Sequence, residues 1–373
     1  ASRGVGVCSA LMSDERRDAF VAETAAGYEK LRAARAGKGP GDLTPLDQAR
    51  AARAPIDWAA YAPTAPAQPG LTVFDDVPLG DLVDRIDWTP FFRTWDLHGT
   101  YPRILDDAKV GEAARSLFID ARAMLTRIVD EKWLTARGVV GLWPANAVGD
   151  DVRLFTDDTR SAVLDTLPFL RQQVKKSEGR VAGCLADFVA PLDSGVADWM
   201  GAFAVTAGIG LDAVVAEFEA AHDDYQAIMA KALADRLAEA FAEWLHEKVR
   251  TQVWGYAAGE ALDNEALIRE AYRGIRPAPG YPACPDHTEK GRLFALLDAP
   301  ANTGLELTDS FAMTPTAAVC GTYFAHPEAA YFGVGRIGPD QVADYAARKG
   351  WTTAEAERWL APVLGYDPES RAA

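Results

Sequence analysis

The chain has 373 residues, of which 49% are hydrophobic and 25% charged, and its formal net charge is −16 at pH 7. This length suffices for one or two domains with ordinary cores, and no apolar run is long enough for a membrane span. The negative charge disfavours a nucleic-acid partner, because a phosphate backbone would be repelled. The four cysteines form no CxxC pair, which indicates reduced thiols. Composition therefore predicts a soluble, cytoplasmic protein with no membrane and no nucleic-acid partner.

The first 70 residues predict a helix followed by a connection. Over residues 14–36 apolar side chains recur at helical spacing, with Ser13 as the candidate N-cap. Residues 37–70 are rich in Gly, Pro and Ala and show no period, so they predict an extended linker with an anchored turn around Trp58. We expect the globular part to begin near Leu71.

The rest of the chain alternates between strand-like and helix-like patterns. A period of about 3.6 residues predicts one long helical tract over residues 212–253, and shorter helices follow at 262–272, at 339–349 and after Thr352. Runs of β-branched and aromatic residues predict strands at 138–143, 151–155, 184–190, 200–207, 317–325 and 331–337. The first two of these strands are predicted to form an antiparallel pair. Because strands mostly follow strands and helices come in blocks, the predicted fold class is α+β with an antiparallel sheet.

The stretch IRPAPGYPACPDH, residues 275–287, contains four prolines and one glycine. Each proline fixes its own φ and removes a backbone donor, so the stretch predicts a stiff, open ribbon. Its amides need turns, water or a ligand as partners, and Gly280 stands where the backbone needs a positive φ or a close approach. Arg276 offers a planar fork suited to a carboxylate or phosphate, and Tyr281 offers a ring face and a hydroxyl. Two interpretations stay open: a rigid surface crossover with Arg276 in an ordinary salt bridge, or a preorganised small-molecule site.

The ribbon also carries a family resemblance. GIRPAPGYPACPDHTEKGRLFALL resembles the S-adenosyl-L-methionine (AdoMet) motif in the C-terminal activation domain of cobalamin-dependent methionine synthase. Further similar stretches are IDWTPFFRTWDLHGTYPRILDD, CLADFVAP, AFAVTAG, LADRLAEAFAEWLHEKVR and DQVADYAARKGWTTAEAERWLAPVLGYD. The leading ASRGVGVCSALMS resembles the last segment of the preceding cobalamin-binding domain, so we expect a piece of a longer protein. The resemblance implies three parts: the end of the cobalamin-binding domain (1–36), a linker (37–70) and the AdoMet-binding activation domain (71–373).

The resemblance also implies the ligand site, a shallow groove beside a twisted antiparallel sheet. Arg276 would hold the methionine carboxylate of AdoMet, and Ala278 would contribute backbone contacts. The other implied ligand-site residues are Asp87, Glu239, Glu270, Gly280, Tyr281, Tyr331 and Phe332. The implied interface with the cobalamin-binding domain consists of Asp235, Tyr281 and His287. No residue is implied as catalytic or as a metal ligand.

Ordinary structural roles stay open for these positions when the residues are considered alone. Asp87 fits a helix cap, Asp235 and Glu239 are four apart and fit a solvated helical stripe, and Tyr331 with Phe332 fits strand packing. Three positions depart from the family pattern: Leu211, where relatives carry an acidic residue, Thr314, which replaces a usual tryptophan, and Cys320, which replaces a usual serine.

The function implied by the resemblance is reactivation of a cobalamin enzyme. Cob(II)alamin, formed by occasional oxidation, would take an electron from flavodoxin or an equivalent donor and a methyl group from AdoMet. The fragment itself is expected to bind AdoMet without making methionine. One alternative is a Rossmann methyltransferase, for which TAGIGLD at 206–212 offers a lone GxG. Another is a stand-alone AdoMet-binding interaction module that acts in trans on a separate cobalamin protein. A zinc site built from Cys284, His287, Cys320 and His326 is a third.

Overall fold

The fold combines an antiparallel sheet with helices, and the computed structural model describes residues 2–36, 42–177 and 179–368. Within these ranges the helices are α1 (Ser2–Leu11), α2 (Arg17–Ala36), α3 (Leu46–Ala51), α4 (Leu79–Val83), α5 (Trp88–Thr94), α6 (Gly111–Asp130), α7 (Leu211–Ala220), α8 (Asp224–Lys248), α9 (Asn264–Ile268), α10 (Glu289–Leu297), α11 (Ala299–Thr303), α12 (Pro339–Lys349) and α13 (Thr353–Trp359). The strands are β1 (Gly70–Phe74), β2 (Thr135–Val148), β3 (Asp151–Phe155), β4 (Val163–Pro168), β5 (Asp198–Ile209), β6 (Glu306–Leu307), β7 (Met313–Thr314) and β8 (Ala318–Tyr323). Across the described ranges, no helix combines the length and hydrophobicity that a bilayer crossing requires.

The main sheet has six strands in the order β4-β3-β2-β5-β8, and β1 pairs with β2 beyond the end of β3. Every neighbouring pair in this sheet is antiparallel. This confirms the predicted α+β class and the predicted β2–β3 pair. The Rossmann alternative is wrong, because that fold needs a mostly parallel sheet. TAGIGLD instead forms the end of β5 and the turn into α7, where Gly210 adopts φ +96°.

Both faces of the sheet are covered. Because successive strand residues point to opposite faces, Val140 packs into a core shared with α6 and α8, while Val139 packs into a second core shared with α10. Phe203, opposite Val140 in the register, points to the α8 side. The long helix α8 is therefore held against the sheet, and this packing sets the positions of the side chains on its inner face.

The predicted long helical tract forms, but it begins at Asp224 rather than at residue 212, because a break separates it from α7. His222 adopts the left-handed conformation with φ 57°, which ends α7. The Asp223 carboxylate then accepts the amide of Gln226 at 3.1 Å and caps the start of α8. The helical tract continues past α8 into a wider, π-helical turn at Val249–Val253.

Two predicted strands do not form. Residues 184–190 turn into a short 3₁₀ segment at Leu185–Phe188, because the Asp187 carboxylate accepts the Cys184 amide at 3.0 Å and curls the chain. Residues 331–337 run without a ladder partner apart from an isolated bridge at their end. The predicted helix at 262–272 is shorter, at Asn264–Ile268, whereas Pro339–Lys349 has the predicted bounds and Thr352 caps α13 as predicted.

The first 70 residues contain more regular structure than expected. The predicted helix over 14–36 begins at Arg17, after a turn in which the Ser13 carbonyl accepts the amides of Arg16 and Arg17, and α1 precedes it. Part of the predicted linker, residues 37–41, lies outside the described residues.

The described part of the predicted linker packs against the rest of the chain. Helix α3 forms in it, with Leu46 and Ala49 buried. Arg50 makes ion pairs of 2.8 Å with Asp150 and with Asp344. The anchored turn predicted around Trp58 is consistent with the contact between its ring and the His326 ring, whose centroids lie 4.8 Å apart.

Candidate functional site

A cleft of about 470 Å³ opens between α8, the proline ribbon and the segment after β8. Its walls are formed by Phe203, Glu239, Glu270, Arg276, Pro277, Ala278, Tyr281, Pro282, Ala283, Val319, Tyr331 and Phe332. Every predicted ligand-site residue except Asp87 and Gly280 is among them. The structure thus brings together side chains from four separate parts of the sequence.

The ribbon is held in place by the end of the sheet. Ile275 and Phe324 exchange both backbone hydrogen bonds at 3.0 Å, and the Pro277 carbonyl accepts the Thr322 amide at 2.9 Å. Gly321 permits this close approach, since a Cβ there would lie 2.7 Å from the Pro277 carbonyl oxygen. The ribbon therefore enters the cleft with a fixed backbone.

Gly280 makes the turn within the ribbon. Its φ is +95°, which favours glycine, and a Cβ there would lie 2.2 Å from the His287 ring. The Gly280 amide donates to the Cys284 carbonyl at 2.7 Å, so it is satisfied within the ribbon. The Ala278 amide has no hydrogen-bond acceptor among the described residues, which leaves it as a donor for a ligand.

Arg276 lies at the mouth of the ribbon with its side chain 20% exposed. Its guanidinium donates from Nη2 to Glu243 at 2.6 Å, and from Nη1 to the Tyr272 hydroxyl at 2.6 Å and to Nδ1 of His246 at 3.1 Å. An arginine carries five N–H donors, so Nε–H and one Nη2–H remain without a partner in the described part of the chain. Burial works to lower the pKa of Arg276, but Glu243 and the neighbouring tyrosine hydroxyls raise it above its usual value.

The carboxylate of Glu239 faces the same cleft from α8 and is half-buried. Its burial raises its pKa above the ordinary value. Arg236 and Arg276 oppose this increase, while Asp235 and Glu243 add to it. The cleft wall therefore contains an acid whose charged form is poorly solvated and would gain from a cationic ligand.

The other walls supply a second acid and ring faces. Glu270 is exposed at the cleft and adopts a positive φ of 55°. The Tyr331 hydroxyl accepts the Arg276 amide at 3.0 Å, which ties its ring to the ribbon. Tyr281 is 60% exposed at the rim, and burial of part of it, together with Glu239 and Asp235, raises its pKa.

The remaining predicted residues lie outside the cleft wall. Asp87 caps α5 by accepting the Thr89 amide at 2.9 Å, which is the structural role that its sequence context offered. The Asp235 side chain is 58% exposed, and His287 is exposed beside Gly280. The ligand role of Asp87 and the interface roles of Asp235, Tyr281 and His287 stay predictions.

The positions that depart from the family pattern have ordinary surroundings. Leu211 is 3% exposed and packs in the core under α8, and Thr314 is exposed in β7. Cys320 is buried in β8, where burial raises the pKa of its thiol to about 12. Over residues 2–36, 42–177 and 179–368, no group of three or more His, Cys, Asp or Glu side chains could hold a metal ion.

Two residues that hold Arg276 from behind were not predicted from the sequence. Glu243 and His246 are 7% and 0% exposed and contact Arg276 from α8. They stand in the apolar stripe of that helix, where a charged or polar residue needs a buried partner. That signal was present in the sequence, but the partner was not identifiable from it.

Comparison with known proteins identifies the family of this chain. A sequence model of the family described as "Vitamin B12 dependent methionine synthase, activation domain" matches residues 78–350. The chain is also similar to a solved structure, "Crystal Structure of the MetH Reactivation Domain bound to AdoHcy", at 55% sequence identity and a TM-score of 0.85. The similarity covers 87% of this chain and 99% of that chain. The chain therefore belongs to the activation-domain family of vitamin B12-dependent methionine synthases.

Proposed function

We propose that the cleft binds AdoMet and that the chain supports the reductive methylation of cob(II)alamin to methylcobalamin, with an electron from flavodoxin or an equivalent donor. The observation that carries this proposal is Arg276, which keeps two N–H donors unpaired within a cleft that also contains two carboxylates. The relative bound to AdoHcy, the demethylated form of the same ligand, supports it.

The residues fit the chemistry of AdoMet. The Nε–H and Nη2–H groups of Arg276 match the two oxygens of the methionine carboxylate, and the Ala278 amide adds a third donor. Glu239 and Glu270 offset the positive charges of the sulfonium and the ammonium group. The rings of Tyr331 and other cleft aromatics offer faces that attract a cation.

The chain contributes binding and orientation. AdoMet supplies the methyl group, and cobalamin, held by the cobalamin-binding domain of the same enzyme, supplies the cobalt that accepts it. Asp235, Tyr281 and His287 form the proposed contact with that domain, since all three are exposed. We assign residues 1–36 to the end of the cobalamin-binding domain, 37–70 to a linker and 71–373 to the activation domain, in a cytoplasmic enzyme of methionine biosynthesis.

Equilibrium dialysis with labelled AdoMet tests the binding step. The wild-type chain retains the ligand, and Arg276→Ala loses most of it, because a charge-assisted contact contributes about 1.5–3 kcal/mol. The matched control is Arg103→Ala, which removes an exposed arginine outside the cleft and leaves binding unchanged. Equal retention by wild type and Arg276→Ala would contradict the proposal.

A reactivation assay tests the remaining steps. The chain, a separate cobalamin-binding domain carrying cob(II)alamin, and reduced flavodoxin are mixed with AdoMet, and methylcobalamin is followed by its absorption spectrum. Methylcobalamin forms only when all four are present, and the chain alone makes no methionine. Activity in trans with a cobalamin protein from another enzyme, but not with the methionine synthase domain, would favour the stand-alone module instead.

A further inference from the structure

Three side chains hold the guanidinium of Arg276, and we call Glu243, His246 and Tyr272 the Arg276 clamp; Glu243 and His246 are buried, and Tyr272 is half-buried. Glu243 accepts from Nη2 at 2.6 Å, while Tyr272 and His246 accept from Nη1 at 2.6 and 3.1 Å. These bonds occupy one end of the planar group. The donors left without a partner in the described part of the chain are Nε–H and the second Nη2–H.

His246 acts in the clamp as a neutral acceptor. A guanidinium has no lone pair to offer, so Nδ1 of His246 must accept, and the ring proton is on Nε2. That nitrogen faces the Tyr256 hydroxyl at 3.4 Å. The ring is fully buried and stacks on Tyr323, with 5.0 Å between the centroids. Burial, together with Arg250 and Arg276, lowers the pKa of His246 well below its usual value, which keeps the ring neutral.

A second arginine, Arg250, lies near Glu243, but it is already paired with another carboxylate, so Glu243 binds Arg276 instead. Its Oε1 lies 3.7 Å from Arg250 and makes no hydrogen bond in the described part of the chain. Arg250 is already bound by Glu260 through contacts of 2.7–2.9 Å. Glu243 is therefore the main counter-ion of Arg276 and is itself 7% exposed.

We propose that Glu243 and His246 are positioning residues, which turn Arg276 so that Nε–H and one Nη2–H face the cleft and select ligands with an amino-acid carboxylate. This inference rests on the proposed AdoMet site and names what gives it specificity. Without the clamp, the long side chain of Arg276 would sample several rotamers, and its fork would no longer be preset for two oxygens.

The test compares two ligands that differ in that carboxylate alone. Calorimetry on the full chain measures dissociation constants for AdoMet and for decarboxylated AdoMet, which keeps the sulfonium and the adenosine. His246→Leu removes the acceptor, and we expect AdoMet to weaken about tenfold or more, as for loss of an oriented charge-assisted contact. Decarboxylated AdoMet is expected to bind within about twofold of its wild-type affinity. His246→Asn, whose amide oxygen can replace Nδ1, restores the preference for AdoMet.

Glu243→Gln is a second, nearly isosteric variant that gives the same readout independently, with an intermediate loss of preference. Equal weakening of both ligands in the two variants would mean that the clamp only maintains the fold, and this would overturn the inference. Tighter AdoMet binding by Glu243→Gln would overturn it as well, because Glu243 would then compete with the ligand for Arg276. If wild type bound both ligands equally, the positioning inference and the carboxylate contact of Arg276 would fail, while AdoMet binding by the chain would stand. If it bound neither, the proposed function would fail with it.

Discussion

The ribbon and helix α8 face each other across the cleft, but they differ in how their roles arise. The ribbon has its chemistry within thirteen consecutive residues, where fixed φ angles and a glycine preset the backbone around Arg276. Helix α8 contributes Glu239 to the cleft wall, and four residues further along it Glu243 binds the guanidinium of Arg276. The ribbon positions its functional group by local covalent constraint, whereas α8 positions its groups by being packed on the sheet. Substitutions in the two regions should therefore have different consequences.

The largest expected effect is on stability, and it comes from the α8 side. Phe241 is fully buried, and its ring would lie 2.7 Å from a Cβ built on Gly138. Phe241→Ala is expected to lower the free energy of unfolding by about 3–5 kcal/mol, through lost burial and a cavity. Urea unfolding measures it, with Ile119→Ala, 67% exposed on α6, as the control that changes little. A loss of unfolding free energy below about 1 kcal/mol would contradict the inference that core packing holds α8 in position.

The next effect is on the ribbon. Gly280→Ala forces an alanine into φ +95° and against the His287 ring, and we expect a loss of about 1–2 kcal/mol in unfolding free energy. Gly259→Ala is the control, since it has open space and no positive φ. In the double variant Gly280→Ala with His287→Ala, the loss of unfolding free energy caused by the clash with the ring should disappear, and the loss caused by the positive φ should remain. Full recovery in the double variant would show that the backbone conformation of the ribbon matters little.

A smaller effect is expected in the pH dependence of binding. Burial raises the pKa of Glu239 above 4.5, so its carboxylate takes up a proton at a higher pH than an ordinary glutamate does. AdoMet is cationic at the sulfonium, and its affinity should fall as the pH falls toward that raised pKa. Glu239→Gln is expected to bind AdoMet more weakly at neutral pH and to lose this dependence.

Glu239→Gln, which is expected to weaken AdoMet binding, is not expected to weaken the stability of the ligand-free chain. A carboxyl group with a raised folded-state pKa binds more protons when folded, so its burial costs stability at neutral pH, and acid relieves that cost. Glu239→Gln without ligand should therefore be as stable as wild type or more stable. Dialysis between pH 5 and 7 and thermal unfolding measure the two effects. A variant that kept the wild-type pH profile of binding would place the titrating group elsewhere.

The smallest effect separates two tyrosines of the cleft. Tyr331→Phe removes the acceptor of the Arg276 amide, at 3.0 Å, and we expect a loss of about 1 kcal/mol in unfolding free energy. Tyr281 is 60% exposed, and Tyr281→Phe is expected to change stability by no more than about 0.5 kcal/mol. Calorimetric unfolding of both variants measures the difference. Equal losses would mean that the ribbon does not depend on the Tyr331 hydroxyl.

The parts of the fold that depend on local pattern could be predicted from the sequence. Strands β2, β3, β5 and β8 were recognisable from their apolar and β-branched runs, and Pro339 marked the start of α12. The break at His222 was not predicted, because the apolar period runs across it and only the left-handed backbone ends the helix. Edge strands β1 and β4 were missed, since they are short and partly exposed.

The candidate site divides in the same way. The ribbon residues were identified because their constraints are consecutive in sequence. Glu243 was not, because its meaning depends on Arg276, which is 33 residues away in sequence and reaches it only after the ribbon has packed along β8. His246 was likewise indistinguishable from a core residue until its acceptor role was visible.

A crystal structure of the full chain with AdoMet would locate the ligand itself. We expect the ligand to lie between α8 and the ribbon, with its carboxylate on Nε and Nη2 of Arg276, its sulfonium near Glu239, and the clamp bonds of Glu243 and His246 retained. Ligand density in another place, such as the cavity of about 590 Å³ lined by Trp58 and Asp187, would contradict this expectation. So would a carboxylate that turns away from Arg276.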